Sequence, residues 1–424
     1  MCRFLFVLLT MSFMGIPGLQ VDAQQLKKKP DPKAKKKDDK DPEPKKFEFP
    51  TEIGGKKVEY WVNEVKHSKD PSMRDLALKT IPNFGPKVRP LISKTLIHVL
   101  RTDPDINVRL TAINMVPVIG FESEDMKEGM SLLYRYLDPS YITTSHARNE
   151  ALMALGRCGP VAKDMIPKII SYPLKDTTSF LNRKAAVFAL GRIGMGTPKP
   201  KKSESDPDEL GPPDSRCILA LCKSLQYDVS HEVRREAVDS LLILGPPSEE
   251  KVWKELRKTL DAVIRDKNEI DPTVTLWARV VMIRSSTEKA SISDPNLIAI
   301  ANMVDDKKDF SMRLEALKAL AILGNEAKSR VPQLLAYAED PLIAKINEKT
   351  EVESELRDGI ERITLATMAL TALAQMTDEL NMLLPHLDKL KRHEKEPIKK
   401  AAEAAYQALT KRKDDPLERQ EKKN

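Results

Sequence analysis

Two His-Glu pairs, four cysteines and a regular row of arginines are the side chains here whose type and spacing could support chemistry. His231-Glu232 and His393-Glu394 set an imidazole beside a carboxylate, a donor set that metals use. The two pairs are far apart in the chain, and His67, His98, His146 and His386 are scattered without ligand spacing. No metal site is expected from them. Cys2 lies too early for lipid attachment, which leaves Cys158, Cys217 and Cys222. An odd number of thiols argues against a disulfide framework. Cys217 and Cys222 do not share a helical face well, and Cys158 falls at an apolar offset, as a small core residue does. GxSxG, P-loop, GxGxxG and HExxH patterns are all absent. The sequence therefore predicts no catalytic residue, no cofactor and no metal. The arginines are Arg74, Arg109, Arg148, Arg183, Arg234 and Arg313. Such a row can pair with acids of its own or the adjacent repeat as a structural ladder. It can also line a face that reads acidic ligands. An Asp recurs just before the Arg (Asp70, Asp105, Asp309), which favours the ladder.

The residues after each arginine identify the element that carries it. After Arg183 come Ala186, Val187, Leu190, Ile193 and Gly194, at offsets three, four, seven, ten and eleven. Arg74 is succeeded in the same way by Ala77, Leu78, Ile81, Phe84 and Gly85. Arg109, Arg148, Arg234 and Arg313 repeat the frame, ending at Gly120, Gly159, Gly245 and Gly324. Those offsets place the apolar side chains on one stripe of an α-helix. The Ala is small where a neighbouring helix approaches, the Gly supplies a left-handed stop, and the preceding Asp is a turn or N-cap residue. A looser second helix lies between copies, often with an apolar–Pro pair: Ile166-Pro167, Val331-Pro332, Leu384-Pro385.

A helical hairpin repeated at a fixed period cannot bury a core alone, so neighbours must stack. The first five reference arginines stand 35, 39, 35 and 51 residues apart. On these Asp–Arg–Ala–Gly frames the chain resembles HEAT-repeat proteins, in particular the shorter HEAT-like type noted in bilin lyases. The resemblance implies an all-α, right-handed α-solenoid of about nine HEAT-like helical-hairpin repeats. Degenerate copies complete that count: Thr275–Ile283 without its Gly, Ile363–Gln375 with Arg362 displaced by one, and a last copy headed by Lys399. Deoxyhypusine hydroxylase, a HEAT-like di-iron enzyme, carries four His-Glu pairs directly after the helix Arg. The two pairs here precede the helix and do not reproduce that site.

Charge placement bears on partners. The formal net charge is +7, but residues 27–46 hold ten lysines against five acids. The tail 411–424 holds six basic against four acidic residues, so the array 47–410 is near neutral. A nucleic-acid groove needs its excess charge inside the array, so nucleic acid is not expected as a partner.

In chain order, residues 1–23 read as a secretory signal: Arg3, the apolar run Phe4–Met14, and the small-residue site Val21-Asp22-Ala23. No later stretch is apolar enough to span a bilayer. Residues 24–50 form a Lys/Pro-rich disordered linker, either a solvated spacer or a weak contact with an anionic envelope surface. The array occupies 51–410 and opens with a capping helix in which Val58, Trp61, Val62 and Val65 share a face after a Gly54-Gly55 turn. Signal, charged linker, "GGKxxEYW" and "DPSMRDLALKTIPNFGP" in that order resemble exported HEAT-repeat proteins of planctomycete bacteria. Residues 195–215 form a mobile loop insertion, 340–359 a charged connection that is partly helical, and 411–424 a frayed tail. The expected function is a non-catalytic protein-interaction scaffold in the periplasm or cell envelope, with an unidentified protein partner. The alternative is a lyase-like or accessory enzyme module, which needs clustered polar residues in the groove.

Overall fold

The computed structural model describes residues 48–138, 140–141, 143–199, 210–286, 291–346 and 352–413. The expected signal 1–23, most of the linker 24–50 and most of the tail 411–424 lie outside the described residues. So do 200–209 of the loop insertion and 347–351 of the charged connection. Gly54 and Gly55, at φ 61° and 68°, turn a short hairpin of β1 (Glu52–Ile53) against β2 (Lys56–Lys57). Everything else of regular structure is helical.

Among the described residues the helices fall into nine consecutive pairs. These are α1 (Val58–His67) with α2 (Pro71–Thr80), α3 (Arg89–Thr102) with α4 (Ile106–Ile119), and α5 (Met126–Arg135) with α6 (Ser145–Cys158). Next come α7 (Ile166–Ser171) with α8 (Phe180–Ile193), α9 (Ser215–Tyr227) with α10 (His231–Leu244), and α11 (Glu250–Arg265) with α12 (Pro272–Ser285). The last are α13 (Pro295–Asp305) with α14 (Phe310–Leu323), α15 (Val331–Ala338) with α16 (Glu353–Leu373), and α17 (Leu380–Leu390) with α18 (Glu396–Lys413). The second helix of every pair packs on the second helix of the next, from α2 to α18. The first helices pack closely between α1, α3 and α5 and between α9 and α11, and thin out elsewhere. The protein is an all-α solenoid whose second helices form the inner, concave row.

Side-chain caps start most of the inner helices. The backbone N–H of Ser72 donates to Asp70, those of Asn107 and Val108 to Asp105, and that of Met312 to Asp309. Thr144 and Ser179 cap α6 and α8 in the same way. Asp271 caps α12 and thereby fixes the register of the degenerate copy, with Thr275 in the arginine's place. The stop is different in detail from a left-handed helical cap. Gly85, Gly120, Gly159, Gly245 and Gly324 combine φ between 54° and 89° with an extended ψ, a region open in practice to glycine alone. Gly194 departs altogether, at φ −74°. It is glycine because a Cβ there would meet the Cβ of Cys217 on α9 at 2.7 Å.

The apolar offsets all face one continuous core running from Val62 to Leu409, with Cys158 the one half-buried member. The inner helices come closest at α6, α8 and α10. A Cβ on Gly156 would meet the ring of Phe188 at 2.8 Å and Cα of Ala189 at 2.9 Å. One on Gly191 would meet Cβ of Ser240 at 2.5 Å. Ser240 is fully buried and donates to the carbonyl of Val187. The insertion expected to be mobile has a pinned neck. Pro198 and Leu210 form a bridge, Gly211 N–H donates to Thr197 and Asp214 N–H to Gly194. The last helix runs to Lys413, three residues past the expected end of the array.

The six frame arginines sit at the hairpin turns. Arg74 forks onto Asp103 of the next pair at 2.8 and 2.9 Å, and Arg183 onto Asp228 at the same distances. Arg234 forks onto Glu269 at 2.7 Å twice. Each also donates to a carbonyl of its own turn: Ser68, Asp176 and Asp228 respectively. The acids bridged are therefore those of the following turn, and the Asp four residues before Arg74, Arg109 and Arg313 serves as the cap instead. Arg109 donates to the carbonyls of Asp103 and Pro104 and lies against the Tyr136 hydroxyl. Arg313 donates to the carbonyl of Val304 and reaches the Tyr337 hydroxyl at 3.5 Å. In these two copies a tyrosine of the next repeat stands where others have a carboxylate. Nε of Arg148, like that of Arg109, is buried without a hydrogen-bond partner.

Both kinds of junction contact are open to test through stability. Arg183→Ala strands the buried Asp228 carboxylate and costs about 3–5 kcal/mol, whereas Arg183→Met with Asp228→Leu recovers most of that loss. A denaturant-unfolding double-mutant cycle measures both. Gly191→Leu wedges α8 from α10 at Ser240 and costs about 1–3 kcal/mol or more, read in the same titration.

Candidate functional site

The inner row leaves one face of each second helix uncovered, on the residues one, two, five and nine after the frame position. Those residues form a strip that crosses the middle of the array. On α6 it is Met153 and Arg157; on α8, Lys184, Phe188 and Arg192; on α10, Arg235, Glu236 and Asp239. On α14 it is Glu315 and Lys318; α12 reaches the strip through Trp277, which is buried and meets it from below.

Cross-helix contacts join them. Arg157 Nη1 approaches Asn114 Oδ1 of α4 at 3.4 Å. The Phe188 ring lies over Gly156, and the Arg192 guanidinium stacks 3.5 Å from the centre of that ring. Arg192 stands 3.7 Å from Glu236, and Lys184 reaches Glu232 at 3.1 Å. Arg235 bonds Asp239 at 3.1 Å and lies 3.7 Å from Glu315, with its guanidinium 5.2 Å from the ring centre of Trp277. The Trp277 indole N–H donates to Glu315 at 3.2 Å, and Lys318 closes the strip on Glu315 at 2.7 Å.

Burial tunes these charges. It pushes the Glu236 carboxyl up to about 7, against the pull of Arg192. Burial also raises Asp239, partly offset by Arg235. Arg192 is lowered by burial, against the opposing pull of Glu236 and Asp239 and with a smaller push from Arg157. Desolvation disfavours the ionised form of each, so the groove holds acids and bases that are incompletely matched.

The other groups singled out from the sequence do not converge here. The ladder arginines bond the turns at the edge of the array, away from this strip. Cys158, Cys217 and Cys222 are free thiols pushed up to about 12 by burial, too high for a thiolate nucleophile. His231 faces Asp271 at 3.7 Å, while His393 accepts the backbone N–H of Lys395. Among the described residues no group of three or more His, Cys, Asp and Glu is placed to hold a metal ion. No described helix is long and apolar enough to cross a membrane.

Sequence reasoning followed the apolar stripe and passed over the strip beside it. A signal existed, because Glu150, Glu236 and Glu315 each stand two residues after a frame arginine, next to the small Ala. What the repeat could not reveal is that Arg235, one residue after its frame arginine, belongs to the same surface as Arg157 and Arg192, which stand nine residues after theirs.

No protein-family model and no curated protein matches the sequence. Solved structures do match in fold. Yeast importin-β (Kap95p) aligns over 83% of this chain and 47% of its own, at 14% identity and a TM-score of 0.50. A second importin-β structure aligns over 82% and 49%, at 13% identity and 0.48. An engineered protein aligns over 83% of this chain and 98% of its own, at 17% identity and 0.37. The chain thus spans about half the length of the importin-β structures it matches. At these identities the yeast importin-β likeness speaks to fold alone, and the fold is a HEAT-type array of helical repeats.

Proposed function

We propose that the chain is a non-catalytic scaffold, exported to the cell envelope, that holds a protein partner along its concave face. The observation that carries this reading is the strip from Arg157 to Lys318. It crosses five consecutive inner helices and sets charged groups around the half-buried Phe188 ring, with Trp277 buried beneath them. A rigid surface of that kind binds without much ordering cost, and its arginine and aromatic side chains are the types that dominate interface energetics. The envelope address rests on Arg3, Phe4–Met14 and Val21-Asp22-Ala23. The Lys-rich linker adds a weak contact to anionic envelope material.

The test is capture of the tagged mature chain from envelope fractions, beside a variant carrying Arg235→Glu and Lys318→Glu. A protein retained in high salt by the parent, and reduced about tenfold or more with the variant, is the expected result. Equal recovery by both, or recovery only of envelope polymer that disappears when residues 24–50 are deleted, overturns the groove reading.

A second reading, an accessory enzyme module, is favoured by one observation: Glu236 is held near the pH where a general acid–base group works best. Its premise has a thermodynamic signature. The folded carboxyl is raised from 4.5 to about 7, so its contribution is full below the unfolded value and is lost as pH rises through about 7. Stability should fall across that window, and Glu236→Gln should flatten the fall. Unfolding midpoints of both proteins that run parallel from about pH 5 to about pH 8 would remove the premise.

A further inference from the structure

The strip is not uniformly satisfied. Arg235 has Asp239 and Glu315, Lys184 has Glu232, and Lys318 has Glu315. Arg157 instead faces the neutral amide of Asn114. Arg192 has a carboxylate no nearer than 3.7 Å, and its side chain is only 26% exposed. Phe188 lies across Gly156, the residue before Arg157, and under Arg192, whose Nη1 also donates to the Phe188 carbonyl at 3.3 Å. Arg157 is exposed, whereas Arg192 is partly desolvated with incomplete counter-charge; a carboxylate supplied from outside gives each guanidinium a forked partner and offsets the desolvation of Arg192.

The flanks of the pair are equally specific. The residue nine after the frame position is Val118 on α4, Arg157 on α6, Arg192 on α8 and Ile243 on α10. Val118 is 63% exposed and Ile243 is half-buried. Four consecutive inner helices therefore present apolar, cationic, cationic and apolar side chains in a row. Packed helices lie about 8–10 Å apart, close to the reach of three residues of extended polyproline-II chain at about 3.1 Å each, a conformation that also returns every third side chain to the same face.

We propose that Arg157 and Arg192 receive two carboxylates of an extended partner segment in which acidic residues three apart are flanked by apolar ones. This deepens the scaffold reading and rests on it. The apolar flanks favour a peptide over a bare polyanion, which has nothing to place on Val118, Phe188 and Ile243. Glu236 is the internal competitor for Arg192. The groups that face it are Arg192 and Lys184 from α8 and Arg235 and Asp239 from α10. Protonating Glu236 frees Arg192 while a partner's glutamates, near 4.3, stay ionised. Binding therefore tightens as pH falls from about 8 to about 6.

The experiment is fluorescence anisotropy with the full chain and the labelled peptide Leu-Ser-Ser-Glu-Ser-Ser-Glu-Ser-Ser-Leu. Arg157→Gln and Arg192→Gln each weaken binding about tenfold or more, and a peptide with Gln for Glu does not bind. Glu236→Gln tightens binding severalfold and abolishes its pH dependence. That gain is opposite in sign to what structural damage produces, and thermal midpoints by circular dichroism identify any variant that fails to fold. Arg257→Gln with Lys258→Gln, on the outer helix α11, leaves affinity unchanged. The proposal is overturned if the arginine variants bind the peptide as the parent does, or if the α11 variant alone loses it. Binding of inorganic polyphosphate but not of the peptide also overturns it. If the peptide fails while the envelope partner is still lost with Arg235→Glu and Lys318→Glu, the carboxylate receptor falls and the scaffold reading stands.

Discussion

Each helical pair in this molecule has an apolar stripe that only the next pair can cover. A hairpin of roughly forty residues has too little interior to fold alone, so stability accrues through nearest-neighbour burial along the array. That constraint explains the small residues where inner helices touch, Gly156 against Ala189 and Gly191 against Ser240. It also explains why five of the described inner helices stop at glycines with positive φ, where the chain turns sharply toward the next helix. The arginine forks onto Asp103, Asp228 and Glu269 act across the same junctions. They fix the angle and register at which one pair meets the next, where apolar packing alone is permissive.

Close packing of the inner row has a second consequence. Helices brought together by glycine and serine leave little room for the side chains just beside the contact. Glu236, Asp239, Arg192 and Arg235 are therefore crowded into a partly desolvated strip. There they pair across helices, and burial raises the acids and lowers Arg192. The same geometry that secures the fold thus supplies a surface with unspent electrostatic capacity. It is concentrated around α6, α8 and α10, where the row is tightest.

Much of the fold was legible because the repeat obeys helical periodicity at every copy. The offsets after Arg74, Arg109 or Arg313 are buried as periodicity requires, and Asp70, Asp105 and Asp309 are caps. The copy at Thr275 needed the structure, since only the Asp271 cap reveals its register. Gly194 misled because glycine has two uses: the sequence pattern cannot separate a conformational stop from a close approach by Cys217. The bonded neck of the insertion was not legible for a related reason, as backbone bridges such as Pro198 to Leu210 leave no compositional trace. The candidate site was least legible. A periodic reading shows which residues face inward, but which partners they meet depends on the stagger between helices. The contact of Arg235 with Glu315, two repeats away, has no signature in one-dimensional spacing.

Whether the concave row is the binding face is decided by hydrogen exchange on the full chain, with and without a partner captured from the envelope. A partner held in the groove slows exchange along the inner helices α6, α8, α10, α12 and α14, with little change on the outer helices. Protection centred on the outer helix α11 or on the hairpin turns, with the inner helices unchanged, would contradict a groove-bound partner.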